Sequence, residues 1–434
     1  MTQPNLRRIL SDELHARAFH DFDGAGRFIR FVFLIDHDAA SFVDYVNAFL
    51  QAEESAPITP ESKFARVEFD NYAFRFERHT EFLSLSFIQK GRVIRSGLLP
   101  EAFDPEAVGL PLEWAKSAPA TLFQAIWLEV GAKPPRAVND AKMLATLDSR
   151  AVAANQFSDG AGQLHFAFDI DAAGFSRIAL FNSDISAKRM GRAVQRVVEL
   201  ETYRLLALLG FAAVRDNGKR LGEIEDAVGK LTNELAEEIK LPDGKVENLL
   251  STLTAQAADL EEIYSKTSYR MAATKAYESI MADRISGLQL TRLIGFQGVR
   301  GFLNRRMTPA LDSCHAFSER LAQLSARITR AGDLLQTQTE MIIQRQNRDL
   351  LTSMNSRAKA QLHLQQTVER LSIAAVTYYG VGLVGYLARP LPLESWGFDL
   401  IVVKAAFVPV IAFLVWLAVR AVKVRLDGAE KNGG

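Results

Sequence analysis

LSIAAVTYYGVGLVGYL, residues Leu371–Leu387, and LIVVKAAFVPVIAFLVWLAV, residues Leu400–Val419, decide what kind of chain this is. Roughly 20 apolar residues cross a bilayer core, so the second run is ample and the first is near the short limit. A buried core helix would explain either run alone. Two of them, separated only by the stretch to Asp399, predict a transmembrane helical hairpin. Lys404 lies near the loop end of the second run, where its stem can carry the ammonium to the interface. Pro409 predicts a kink there, which a neighbouring helix can accommodate.

The flanks orient the hairpin. Arg357, Lys359 and Arg370 precede the first run, Arg420, Lys423, Arg425 and Lys431 follow the second, and the loop carries Arg389 alone. By the positive-inside rule both termini are cytoplasmic and the loop lies outside. Gly380-Val381-Gly382-Leu383-Val384-Gly385 matches the dinucleotide pattern G-x-G-x-x-G. That pattern needs a preceding strand and a soluble βαβ unit. Inside an apolar run, its small residues instead predict a surface for close helix packing.

Upstream, Ala310–Arg370 contains no proline and a single glycine, Gly332. Apolar residues recur there at Phe317, Leu321, Leu324, Ile328, Ala331 and Leu335, then at Ile342, Met354, Ala358 and Leu362, a heptad seam. Such a helix would be about 90 Å long. The segment from Asp243 to about Asn304 has a similar seam at Val246, Leu250, Leu253, Ala257, Leu260, Tyr264, Thr267, Met271 and Thr274. Joined around Arg305–Pro309, the two predict an antiparallel coiled-coil stalk. Gly295, Gly298 and Gly301 interrupt the first of them, among Arg292, Arg300, Arg305 and Arg306. Those arginines read either as a basic patch for phosphate or lipid headgroups or as a loosened helix end with solvated charges, the commoner meaning of one basic cluster. A further helix begins after Asn182-Ser183-Asp184 and runs to Leu209-Gly210. Its charges, such as Arg196 and Glu199 at i, i+3, read as structural ion pairs.

Residues 1 to about 182 have a different grain. Arg27–Asp36, Phe64–Asp70, Tyr72–Arg78, Phe82–Gln89, Thr121–Val130, Leu164–Asp171 and Arg177–Phe181 read as strands, with short helices at Ala39–Leu50 and Leu112–Ala115. The consecutive strands from Phe64 to Gln89 predict an antiparallel meander. The class is α+β or α/β with a mixed sheet. The resulting organisation is an α/β body over 1–182, connecting helices over 183–242, a helical stalk over 243–370, a membrane hairpin over 371–422 and a basic cytoplasmic tail over 423–434.

Composition bounds the chemistry. The 434 residues carry 51 Lys+Arg and 51 Asp+Glu, so no global charge argues for nucleic acid as a partner. Met1–Leu10 holds no apolar signal run, and Cys314 is the one cysteine, which fits a reducing cytoplasm. Cys314 falls on the stalk seam and reads as core. Dense polar residues occur at Asp12, Glu13, His15 and Arg17, a ligand or interaction candidate, and at Asp36-His37-Asp38, at the end of a strand. His165, beside Phe166, reads as a satisfied core histidine. No H-x-x-x-H, C-x-x-C or acidic-triplet spacing suggests a metal, and nothing calls for a cofactor or a catalytic set.

The chain resembles a bacterial family of uncharacterised membrane-anchored proteins defined by a domain of unknown function. The resemblance covers nearly the whole chain. It rests on Asp12-Glu13-Leu14-His15-Ala16-Arg17, on Gly191-Arg192, Val194-Gln195-Arg196, Glu199 and Glu201-Thr202-Tyr203-Arg204, and on Arg305-Arg306 with Pro309-Ala310. It rests too on Gln346-Asn347, Leu350-Leu351, Leu371-Ser372 and Tyr378-Tyr379-Gly380. It implies a proline after the His-Ala-Arg triplet, where this chain has Ala18. It implies an architecture and no activity. A looser layout similarity is to CorA-type magnesium channels, whose first span ends in a Gly-Met-Asn triplet; Gly385-Tyr386-Leu387 stands near that position here.

Three functions follow as expectations. The leading one is a non-catalytic, multi-pass protein of the bacterial cytoplasmic membrane that assembles with itself or with a cytoplasmic protein. The second is a CorA-like oligomeric cation pathway lined by Ser372, Tyr379, Gly382 and Tyr386. The third is an enzyme or ligand-binding body built on Asp12, Glu13 and His15.

Overall fold

In the computed structural model the strand read from RFIRFVFLID is β1 (Ala25–Leu34), in the middle of a nine-stranded sheet. The structure describes residues 7, 20–35, 39–59, 61–134, 140–240, 246–388 and 400–430. Asp12, Glu13, His15 and Arg17, the triplet at 36–38 and the loop at 389–399 lie outside the described residues. The chain divides into two compact units, Met1–Gly332 and Asp333–Gly434.

The first unit is α+β. Its strands are β1, β2 (Phe64–Glu68), β3 (Ala73–Arg78), β4 (Phe82–Arg92), β5 (Thr121–Gly131), β6 (Val152–Phe157), β7 (Gly162–Ile170), β8 (Phe175–Asn182) and β9 (Thr291–Arg292), in the order β2-β3-β4-β1-β5-β8-β7-β6-β9. The β2-β3-β4 meander is antiparallel as expected. Only β5 and β8 pair in parallel, so the sheet is mixed. Both faces are covered, which is why β1 is apolar at nearly every position rather than at alternate ones. One face, with Ile29, Phe31 and Phe33, packs under α1 (Ala39–Ala52), α2 (Leu112–Lys116) and α3 (Asp140–Thr146). The other, with Phe28, Ile126 and Leu128, receives Met190, Val194, Val197 and Val198 of α4 (Ala187–Lys240).

Two strands were not expected. β6 (VAANQF) has little strand propensity of its own. Its pairing with β7 supplies the order, through a turn in which Ser158, Asp159 and Gly160 all take positive φ. β9 is a two-residue edge strand beside β6.

The helical part departs from the expected stalk in three ways. First, α4 does not stop at Gly210 but continues to Lys240. Gly210 is buried where a Cβ would overlap the Thr274 hydroxyl of α5 (Val246–Gly287), so it marks a close helix crossing, not a helix end. Second, α5 ends at Gly287, far short of Asn304, where Arg196 Nη1 donates 2.7 Å to the Gly287 carbonyl. The chain then forms β9 and α6 (Val299–Arg306) before α7 (Thr308–Ala388) begins. Asn155 of β6 fastens this excursion. Its Nδ2 donates to the Thr291 carbonyl at 2.7 Å, and its Oδ1 accepts from the Val299 amide at 2.7 Å. Gly295 at φ +90° makes the turn between them. Third, the buried face of α5 carries Leu249 and Ile263, while Leu250 and Tyr264 are exposed. Along α7 the seam from Phe317 to Leu335 is buried as read, and Met354 and Leu362 are exposed. Arg320 of α7 pairs with Glu225 of α4, and His315 with Glu278 of α5, so the start of α7 packs with both helices.

In the second unit, α7 runs on to Ala388 and α8 (Leu400–Glu430) carries Pro409 in its interior. Among the described residues one stretch, Lys404–Ala421, is long and apolar enough to cross a membrane. The Leu371–Leu387 run, read as near the short limit, does not meet that test among the described residues.

Candidate functional site

The two apolar helices of the second unit pack through their small residues. A Cβ on Gly380 would stand 2.9 Å from Ile411 Cγ2, and one on Gly385 would overlap Lys404 Cε. The pairs 380 with 411 and 385 with 404 run in opposite directions, so the helices are antiparallel. The glycine pattern at 380–385 is thus a packing notch, with Gly382 facing open space. Away from the contact the surface is apolar and uncovered: Leu383, Leu387, Ile401, Phe413 and Leu414 are all more than half exposed. Ser372, Tyr379 and Tyr386 are exposed as well, on the side of α7 turned away from α8.

In the first unit the chemistry is concentrated in a buried polar seam between the sheet and α4. Arg30 and Arg75 point from β1 and β3 toward Glu77; Arg30 Nη2 donates to Glu77 Oε2 at 2.6 Å and Arg75 Nη2 to Oε1 at 2.5 Å. Ser86 accepts from Arg30 Nε at 3.1 Å, and Ser84 donates to Glu77 at 3.3 Å. Burial opposes charge on Glu77, but the two guanidiniums outweigh it and hold the carboxyl down at about 2. Burial also lowers the Arg75 guanidinium. Facing them from α4, Glu201 accepts 2.6 and 2.8 Å bonds from Arg204 and a 3.1 Å bond from Gln124 of β5. Glu199 accepts from Gln195 at 2.8 Å and from Arg284 of α5. Tyr277 and Arg270 of α5 both bond to Glu81, beside the β3–β4 turn. Most of these groups pair with one another, although Arg75 Nε, Glu81 Oε1 and Gln124 Oε1 make no hydrogen bond. They pin helices to sheet, and they present no nucleophile beside a free base.

A buried ion pair and a buried histidine are also incompletely bonded. Arg27 of β1 and Glu129 of β5 are wholly buried neighbours with Nε and Oε1 3.2 Å apart, yet none of the three Arg27 nitrogens makes a hydrogen bond. Burial pushes the Glu129 carboxyl up to about 7 against the pull of Arg27 and the 2.7 Å bond from Trp127 Nε1. His165 is indeed a core histidine, set edge-on to Phe181 and Phe296, but it is not fully satisfied. Its Nδ1 has no partner, and Nε2 lies 3.4 Å from Gln163 Oε1. Burial lowers the imidazole to about 4.

The four arginines read as a basic patch serve separate local roles. Arg292 sits in β9, Arg306 covers the Phe302 ring at 5.7 Å, Arg305 Nε reaches back 3.3 Å to the Gly301 carbonyl, and Arg300 rims a cavity beside α5. Cys314 is buried as expected; burial, with help from the Glu278 charge, pushes its thiol up to about 11. Among the described residues no group of three or more His, Cys, Asp or Glu could hold a metal ion. The charged seam residues on the strands were missed in the sequence. The available signal was the presence of Arg27 and Arg30 inside an otherwise apolar strand, where a charge must find a partner.

The fold and these sites define a mixed-sheet α+β protein with long helices and one helix of membrane-spanning character. The chain belongs to the family described as "Protein of unknown function (DUF3422)", whose model matches residues 2–426. No curated protein and no solved structure matches it. The α4 segment from Gln195 to Arg204, one of those that carry the family resemblance, supplies the helix side of the polar seam.

Proposed function

We propose that the chain is a non-catalytic membrane-anchored protein whose second unit inserts as a two-helix hairpin with both ends in the cytoplasm. The observation that supports this most is the apolar surface of that unit. Phe413, Leu414, Leu417 and Leu383 are exposed around a tightly packed pair of helices, and water is a poor solvent for such a surface. Lipid is the natural cover, with Lys404 reaching the interface and basic residues flanking the pair. The polar seam, whose charges pair with one another between sheet and helices, favours a binding or scaffolding body over an enzyme. Within the second unit, Leu350, Leu351, Met354, Leu362 and Leu364 of α7 are exposed on a long helix, which favours self-association or a cytoplasmic protein partner.

The test is extraction and labelling. The full chain is expected to pellet with membranes and to resist alkaline carbonate, and Phe413→Arg with Leu414→Arg to release it, since each central arginine costs about 2.5–3.5 kcal/mol on insertion scales. With Cys314→Ser, a cysteine at Glu394 should react with an impermeant maleimide from outside. Recovery of the unmodified chain in the soluble fraction would overturn the reading. A second reading, an ion pathway, draws on the exposed face Ser372, Tyr379, Gly382 and Tyr386, which an oligomer could turn inward. Absence of cation flux in liposomes holding a proven oligomer removes it.

A further inference from the structure

A cavity of about 210 Å³ lies between α5, α6 and the start of α7, and none of the polar-seam residues lines it. Its walls are Met281 and Ile285 of α5, Leu303 of α6, Met307 and Leu311, each less than a tenth exposed. Its rim is polar, with Arg300, Asn304, Thr308 and Glu278. Glu278 lies 2.9 Å from His315 Nε2, an ion pair only when the histidine is protonated. Among the described residues Arg300 has no carboxylate partner. An apolar cavity of roughly 150 Å³ stays dry and admits a benzene-sized guest, so this one has room for a chain of about six to eight carbons. Methionine walls adapt to such a chain because the thioether is flexible and polarisable. Arg300, Asn304 and Thr308, on α6 and the start of α7, can all donate, and Glu278 faces them from α5. A cation would meet Arg300, a neutral chain would leave it unanswered, and a carboxylate would accept from it, from the Asn304 amide and from the Thr308 hydroxyl.

We propose that this cavity binds small apolar monocarboxylates, with the chain between Met281, Leu303 and Met307 and the carboxylate at Arg300. The site does not depend on how the chain meets a membrane. It is tested on the full chain in lipid nanodiscs carrying methyl-labelled methionine, titrated with hexanoate and, in parallel, with hexanol. Hexanoate should shift the Met281 and Met307 methyl signals saturably and leave Met354, which is exposed elsewhere on α7, unmoved. Arg300→Gln should raise the half-saturating concentration about tenfold, the loss of one charged hydrogen bond, without changing the spectrum before titration. Ala282→Leu, which fills the cavity from its wall, should abolish the response. The proposal is overturned if Met281 and Met307 stay still up to about 50 mM hexanoate, a concentration at which even a very weak site fills. It is equally overturned if hexanol binds as well as hexanoate and Arg300→Gln has no effect, or if Met354 shifts in step with the other two.

Discussion

His165 and Glu129 show how single buried groups couple this fold to pH. The folded chain keeps His165 neutral down to about 4, whereas an unfolded histidine protonates near 6.5. As pH falls through that window the unfolded state takes up the proton first, so stability is lost, by about 3 kcal/mol in full. Glu129 works the other way. Its folded carboxyl holds a proton up to about 7 and its unfolded one only to about 4.5, so its contribution falls as pH rises between them. The two slopes oppose each other, and the native chain alone does not report either one. His165→Leu, which keeps an apolar group between Phe181 and Phe296, should isolate the first. Relative to the native chain it should gain stability from pH 7.5 to pH 5, measured by chemical denaturation; an unchanged difference would mean that His165 takes up its proton in the folded chain at the same pH as in the unfolded one. The same residues mark what a sequence conveys at this scale. That His165 is core was legible from its aromatic neighbours, and that its Nδ1 finds no partner was not, because partners come from β6, β8 and the β9–α6 turn.

At the scale of elements, glycine has two opposite meanings along α4. Gly210 is buried, and a Cβ there would come within 3.1 Å of Thr274 Cβ as well as overlapping its hydroxyl, so rotating the threonine gives no relief. Gly218 has nothing within 4 Å of its missing Cβ. Gly218→Ala should therefore stabilise the chain by up to about 1 kcal/mol, the ordinary helix preference. Gly210→Ala should destabilise it by about 1–3 kcal/mol, as overpacking does. Adding Thr274→Ala should recover most of that loss, and a double-mutant cycle by thermal unfolding reads the coupling. Equal, stabilising effects at both glycines would show that the α4–α5 crossing is not tight. The helix periods were legible, but register was not always so. Leu249-Leu250 and Ile263-Tyr264 are adjacent apolar pairs, and either member extends a heptad from Val246. Only the packing partner selects Leu249 and Ile263. The break at Gly287 was illegible for a related reason. It depends on Arg196 and Asn155, more than 90 and 130 residues away along the chain, capping one end and tying the next.

For the whole molecule, the decisive contrast lies along α7 itself. Its residues from Leu311 to Leu335 bury their apolar seam, while Met341, Leu350, Leu351, Met354 and Leu362 expose theirs. A helix that leaves such a face to water gains by pairing it, because each large side chain removed from water contributes about 1.5–3 kcal/mol. A chain ending at residue 335 retains the whole first unit and every buried seam residue, and omits the exposed face and the apolar pair. It should be soluble without detergent and monomeric by light scattering, whereas the full chain in detergent should be an oligomer. The comparison separates the sources of assembly. An oligomer in both preparations would put the interface on the body. A monomer in both would refute self-assembly and leave a cytoplasmic protein as the partner for the exposed face of α7. A ring-sized oligomer from the full chain alone would bring Ser372, Tyr379, Gly382 and Tyr386 of several copies around one axis, the arrangement an ion pathway requires.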